Sequence, residues 1–154
     1  MPDSVNSNNQ TIDYQDCANC TGFSLRKASR AISQMYDEAF RSIGIRGTQF
    51  SLLTAIKTAE PVLVTRLAEF TVMDRTTLTR NLDILVKQEL VQISAGKDRR
   101  TRMVSLSPQG EMILANAYPL WQQTQSQIAA LMSAHRLQHL LSELGELVKA
   151  VQSK

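Results

Sequence analysis

The sequence predicts a mainly α fold with a small β-hairpin: a winged helix-turn-helix flanked by N- and C-terminal helices. Three observations predict it. Apolar residues recur at three- and four-residue steps through most of the 154-residue chain, the spacing of an amphipathic helix. Two short apolar runs, Val91–Ser94 and Met103–Leu106, flank a glycine-containing basic turn, AGKDRRTR, as strands flank a hairpin tip. Finally, residues 73–110 hold, in direct succession, a helix start, a helix, those two strands and a second helix start.

Taken in order, residues 1–16 are rich in Asn, Ser, Asp and Gln and show no apolar period, so residues 1–22 are expected to form a flexible tail. From Ser24, a good N-cap type, the helical period runs through Leu25, Ala28, Ile32, Met35, Ala39 and Phe40. Gly44 and Gly47 end that helix, with Ile43 and Ile45 as apolar anchors around the break. A second helix is expected from Thr48 to Ala59 on Phe50, Leu53 and Ile56, and Pro61 bars its continuation. A short helix, Val64 to Phe70, turns its Leu67 and Ala68 inward. Asp74 then caps the most regular helix of the chain, Asp74 to Glu89. At about 100° per residue, Leu78, Leu82 and Leu85 fall within a sector of roughly 60°, whereas Arg75, Thr76, Thr79, Arg80, Asp83 and Lys87 share another of about 140°. After the hairpin, Ser107-Pro108 starts a long helix toward Met132, with Pro119 expected to bend it. His135 to Lys149 forms a last amphipathic helix on Leu137, Leu140, Leu141, Leu144, Leu147 and Val148. The terminal helices carry more apolar surface than the small middle can cover, which points to burial between two copies.

Charge is concentrated. The whole chain carries a net +3, yet residues 75–102 hold seven basic side chains against three acidic ones, so the remainder is slightly acidic. A local basic footprint suits phosphate contact, although a merely solvated face has the same composition. No run approaches the roughly 18 consecutive apolar residues of a membrane span. The polar N-terminus lacks an apolar signal segment, and two cysteines make no disulfide framework; a cytoplasmic protein with no membrane partner is expected.

DRRTRMVSLSPQG, residues 98–110, resembles the wing signature of the multiple-antibiotic-resistance-regulator (MarR) family: Asp, Arg two residues later, a strand, then a Thr/Ser-x-x-Gly entry to the next helix. DRTTLTRNLDILVKQELV, residues 74–91, is similar to the family's recognition helix and its exit into the wing, except that Glu89 stands where a glycine is usual and strains the helix stop. The resemblance spans roughly residues 24–150. It implies a single domain over residues 23–154, with the winged helix-turn-helix at 46–107 and dimerisation helices at 23–45 and 108–154. It also implies a triangular homodimer with interlocked terminal helices, a recognition helix in each major groove and a wing tip at the adjacent minor groove or backbone. The family's usual role is a repressor released by a small ligand or by oxidation.

On that reading, double-stranded DNA with a pseudo-palindromic operator is the expected partner, besides a second copy and a small-molecule effector. Arg75 and Arg80 can donate bidentately to guanine or phosphate, and Thr76 and Thr79 can bond phosphate or touch a thymine methyl. Thr77 faces back and is structural. Thr65 and Arg66 open the preceding helix, whose N-terminus suits a phosphate. Arg100 is the candidate for the minor groove, oriented by a charge-assisted bond from Asp98, which as a turn former has a simpler explanation. Lys97, Arg99 and Arg102 supply charge to phosphates.

Cys17-Ala18-Asn19-Cys20 has the spacing of a redox pair or of half a zinc site, and inert thiols fit equally. His135 and His139, four apart on the last helix, are the only histidines and the candidate complement to a metal site, though plain surface residues look the same. No cofactor and no resident metal are expected. Met35, Tyr36, Phe40, Phe50 and Trp121, with Arg26 and Arg30 for an anionic group, are candidates for an effector pocket; ordinary core packing explains the bulky ones as well. Two rivals to the regulator remain at this level. One is a winged-helix protein-interaction module with no DNA target. The other is a Cys-x-x-Cys enzyme, against which stands the absence of a nucleophile–base arrangement or a glycine-rich phosphate loop, so no enzyme is expected.

Overall fold

The computed structural model describes residues 14–98 and 100–153. The described residues fall into two compact units, with the boundary between Ile32 and Ser33. A 3₁₀ helix, Tyr14–Asn19, precedes α1 (Thr21–Ala39), within which that boundary falls and which begins three residues ahead of Ser24. Cys20, directly before α1, accepts the backbone N–H of Ser24 on its carbonyl, so the cap lies at the cysteine. The rest of the expected tail, residues 1–13, lies outside the described residues. None of the residues of α1 is buried.

The second unit holds the core. The break after α1 works through Gly44, whose φ of 75° is left-handed, a region open to glycine without Cβ strain. Gly47 opens α2 (Gly47–Ala59) rather than closing the preceding helix, and its N–H is accepted by Asp37 Oδ1 at 2.8 Å. β1 (Val62–Leu63) follows, then α3 (Val64–Thr71), α4 (Arg75–Lys87), β2 (Val91–Ala95), β3 (Arg102–Leu106), α5 (Pro108–Met132) and α6 (Ala134–Gln152). The expected hairpin is thus part of a three-stranded antiparallel sheet of order β1-β3-β2. Val91 pairs with Leu106 and Val62 with Val104. β1 escaped notice because two residues ahead of a helix carry no period. Pro119 stands inside a continuous α5.

Leu53, Ile56, Leu67, Leu78, Leu82, Leu85 and Val104 are almost wholly buried together with Phe40, so the apolar stripes of α2, α3 and α4 meet the inner face of the sheet in one cluster. The aromatic rings continue it outward: Phe40 lies 4.9 Å from Phe50 and Phe50 6.3 Å from Trp121, centroid to centroid. Among the described residues no helix is long and apolar enough to cross a membrane.

Two joints position α4. At its start Asp74 accepts the Thr77 N–H at 2.9 Å and the Thr77 hydroxyl at 2.6 Å, so the exposed Thr77 side chain is engaged in the N-cap. At its end the N–H of Glu89 reaches Val86 O and that of Leu90 reaches Leu85 O, a Schellman turn with Glu89 left-handed at φ 59°. α3 stops the same way, with Met73 N on Ala68 O and Val72 at φ 55°. Neither left-handed residue is glycine, and Val72 is β-branched. The strain expected at Glu89 is therefore real and is repeated at Val72.

The start of α5 is built against the exit of α4. Ser107 N donates to Leu90 O at 3.1 Å, the Ser107 hydroxyl donates to Glu89 O, and Gly110 N donates to Ser107 Oγ at 2.9 Å. A Cβ at Gly110 would lie 1.9 Å from Leu90 O, inside any tolerable contact. That clash is the physical content of the Ser-x-x-Gly spacing.

Two substitutions check these joints in urea unfolding. Glu89→Gly is expected to stabilise by about 0.5–1 kcal/mol, the left-handed strain relieved less the chain entropy glycine adds. Gly110→Ala is expected to destabilise by about 1–3 kcal/mol by forcing α5 off the Leu90 carbonyl. A lowered midpoint for Glu89→Gly would remove the strain assignment.

Candidate nucleic-acid interface

The basic and hydroxyl side chains expected to face DNA come from three elements. Thr65 stands in the first turn of α3, Arg75 and Thr79 on α4, and Arg100 and Arg102 on the wing formed by the β2–β3 hairpin. All five line one open cleft of about 190 Å³, together with Leu63, Val64 and Thr101. Three guanidinium-bearing residues from two elements thus border a single concavity. Thr76, Arg80, Lys97 and Asp98 are exposed but lie outside its lining. Arg66 is exposed and donates to Glu69 Oε2 at 3.1 Å, a surface pair that solvent weakens. Arg99 lies outside the described residues.

The two helix N-termini differ. That of α4 is occupied by its own Asp74, whose carboxyl is held below its ordinary value first by the Thr77 hydroxyl and then by the Thr77 N–H. That of α3 has no side-chain cap: its N-cap is Leu63. Its first amides keep donor capacity for an anion, and Thr65 sits beside them.

The wing tip is organised by Asp98, though not as expected. Its Oδ1 accepts the backbone N–H of Arg100 at 3.1 Å, and no ion pair forms between the carboxylate and the Arg100 guanidinium. Its carbonyl accepts both the Thr101 N–H at 2.8 Å and the Thr101 hydroxyl at 2.7 Å, and Gly96 N donates to Thr101 O at 2.8 Å. Asp98 is a turn former here: a short carboxylate reaches the amide two residues on more readily than the end of a long arginine. It shapes the backbone that presents Arg100. Thr101 went unnoticed as a second turn former, and a hydroxyl three residues after an aspartate was the available signal.

Glu60 also went unnoticed. Its Oε2 accepts the Leu106 N–H at 2.8 Å and its Oε1 the Lys57 ammonium at 2.8 Å, while Lys57 donates in addition to Glu111 Oε1 at 2.8 Å. Burial pushes the Glu60 carboxyl up, but Lys57 and the Leu106 amide together outweigh it and the net displacement is downward. Lys57 is shifted upward by Glu111 first and Glu60 second.

Of the effector candidates, Arg26 and Arg30 are exposed residues of the first unit. In the second unit Phe40 is fully buried, Tyr36 stacks on it at 5.9 Å, and Met35 is half-buried. Phe50 and Trp121 border a shallow groove of about 180 Å³ with Leu114, Tyr118, Lys57, Thr54 and Thr58. Cys17 and Cys20 are free and exposed. The backbone N–H groups of Phe23 and Gly22 at the start of α1, followed by the nearby Arg26 charge, lower the Cys20 pKa. His135 and His139 are exposed on α6, and among the described residues no three His, Cys, Asp or Glu side chains gather as a metal would need.

A family model described as MarR family matches residues 43–101. Among solved structures the chain is similar to the M. tuberculosis transcriptional regulator MosR in complex with DNA, at 34% identity and a TM-score of 0.75, over 86% of this chain and 98% of that one. It is also similar to a probable transcriptional regulator from Pseudomonas aeruginosa, at 27% identity and a TM-score of 0.75, over 85% and 98%. A cysteine-to-serine mutant of MarR from E. coli complexed with operator DNA shares the fold, at 22% identity and a TM-score of 0.79, over 88% and 99%. No curated protein sequence matches.

The cysteine geometry predicts a reactivity. With Cys17→Ser protein, iodoacetamide alkylation of Cys20 is expected to rise with pH through a midpoint below that of a free thiol, since the lowered pKa exposes thiolate earlier. A midpoint at or above the free-thiol value would show that the α1 amides do not hold the sulfur in solution.

Proposed function

Because the chain belongs to the MarR family of transcriptional regulators, we propose that it is a homodimeric repressor that binds a pseudo-palindromic DNA operator and is released by a small-molecule effector. The observation that carries the DNA reading is the shared cleft, where Thr65, Arg75, Thr79, Arg100 and Arg102 converge from the α3 start, α4 and the wing. A phosphate belongs at the open N-terminus of α3 beside Thr65. The N-terminus of α4 is already capped, so that helix reads through its side chains: Arg75 and Arg80 toward guanine or phosphate, Thr76 and Thr79 toward phosphate or thymine methyl. Arg100 enters the minor groove from a wing tip shaped by Asp98, with Lys97, Arg99 and Arg102 on flanking phosphates.

The dimer is supported by α6. Leu140, Leu141, Leu147, Val148 and Val151 repeat at helical spacing, all are exposed, and α6 buries none of its residues. An apolar stripe of this length on a single chain calls for a partner surface, and a second copy supplies one by two-fold symmetry. Two-fold symmetry in turn requires half-sites about one helical turn apart. The effector site is proposed at the Phe50–Trp121 groove.

A second release signal is favoured by the Cys20 environment. A hydroperoxide would oxidise the Cys20 thiolate to a sulfenic acid, itself being reduced to the alcohol or water; the Cys17 thiol would then displace water to close a disulfide. Comparing peroxide sensitivity of DNA binding in the parent and in a Cys17→Ser, Cys20→Ser double variant decides it, and equal responses dispose of the switch.

The first test is fluorescence anisotropy on DNA immediately upstream of the protein's own gene, across a salt series. Sequence-dependent binding with a steep salt slope is expected, whereas an apolar protein-interaction module would show neither. Arg100→Ala is expected to weaken binding by about 1–3 kcal/mol with its thermal midpoint unchanged, because an exposed wing-tip side chain contributes contact and not core. In sedimentation, the parent is expected at twice the chain mass and Leu141→Glu at a lower mass; a monomeric parent would refute the dimer.

A further inference from the structure

β1 pairs with β3 for only two residues, Val62 with Val104 and Leu63 with Met103. Extending that register by two steps sets Glu60 opposite Leu106. Pro61 lies between, and a proline has no N–H to give to a ladder. At the position where the ladder stops, the Glu60 side chain takes over: its Oε2 accepts the Leu106 N–H at 2.8 Å. The other carboxylate oxygen accepts the Lys57 ammonium from the last turn of α2, and Lys57 also reaches Glu111 in the first turn of α5, each at 2.8 Å. The Glu60 side chain is only 20% exposed, so its bonds are less screened than those of the open surface pairs. One carboxylate therefore ties the base of the central wing strand to α2 and, through Lys57, to α5. The opposite end of that strand carries Arg102, and the tip beyond it carries Arg100.

We propose that Glu60 is a positioning residue that sets the angle at which the wing presents Arg100 and Arg102, without itself touching DNA; this rests on the wing being a DNA contact. An anion would be out of place at the phosphate surface, and Glu60 does not line the cleft that holds the arginines. It acts on them through β3, whose five residues all pair with β2 and whose Met103 and Val104 pair with β1 as well. Loss of the carboxylate frees the last ladder position and lets the strand pivot on its remaining bonds to β1 and β2. Glu60→Gln keeps an acceptor for Leu106 or for Lys57 but cannot serve both, because its amide NH₂ would face a donor.

The test is a double-mutant cycle between Glu60→Gln and Arg100→Ala, read as operator affinity by fluorescence anisotropy over a salt series, with circular dichroism melts of each variant. Glu60→Gln alone is expected to weaken binding about three- to thirtyfold and to flatten the salt slope, since wing phosphate contacts are lost. In the Arg100→Ala background the same change is expected to cost clearly less than in the parent, because of the two contacts it positions only that of Arg102 is left to lose. Equal losses in both backgrounds, or parental affinity for a folded Glu60→Gln protein, would overturn the proposal. If Glu60→Gln does not fold, Lys57→Met replaces it in the cycle: non-additivity with Arg100→Ala supports the role, and additivity or no effect rejects it. If Arg100→Ala itself leaves affinity unchanged, the wing reading fails first, and the positioning role falls with it.

Discussion

The carbonyl of Leu90 is the point on which the rest of the molecule turns. It follows directly from the Schellman turn that ends α4 and immediately precedes the first wing strand. Ser107, at the far end of the second wing strand, donates its N–H to that carbonyl and its hydroxyl to Glu89 O. α5 then approaches so closely that only a glycine fits at position 110. Three elements thus share one backbone group: the helix that carries Arg75 and Thr79, the hairpin that carries Arg100, and the long helix leading to α6. Their relative placement is set by hydrogen bonds between main-chain groups and one serine, and it holds whatever residues decorate the exposed faces.

That separation explains how the same segment is both strongly basic and well folded. The buried faces of α2, α3 and α4 are almost purely aliphatic, and the charges lie on surfaces whose loss removes no core contact. The exception is Glu60, where a carboxylate is drawn into the structure because Pro61 leaves the ladder one partner short. Lys57 and the Leu106 amide offset the cost of burying it. The two helix starts that border the cleft divide their labour similarly. Asp74 spends the amides of α4 on folding, whereas Leu63 leaves those of α3 open.

The ends of the chain have a different character. α1 and α6 bury none of their residues, though each carries an apolar period. A helix whose apolar stripe stays exposed gains little from folding alone, since tertiary packing supplies most helical stability. The proposed homodimer would give α6 that packing and would hold two wings at a fixed spacing, so stability and DNA reading would depend on the same association.

Much of this was legible in the sequence because it depends on local rules. The period of Leu78, Leu82 and Leu85 located α4, Asp74 and Ser107 announced their caps, and Pro108 and Gly110 marked the start of α5. The glycine-containing basic turn located the wing, and the absence of glycine at Glu89 forecast a strained helix stop. Other features needed distant residues to meet. β1 is two residues long and exists only by pairing with β3. Glu60 has no motif, because its role depends on Leu106, forty-six positions away. Asp98 could be read as a turn former or as an arginine partner, and only the folded tip shows its carboxylate on the Arg100 backbone. Sequence by itself determined the longer helices and the two wing strands and which of their faces are apolar, since spacing and capping act within a few residues. Tertiary structure alone decided which polar groups share a hydrogen bond across the sheet and which arginines border one cleft, because those depend on how the elements pack.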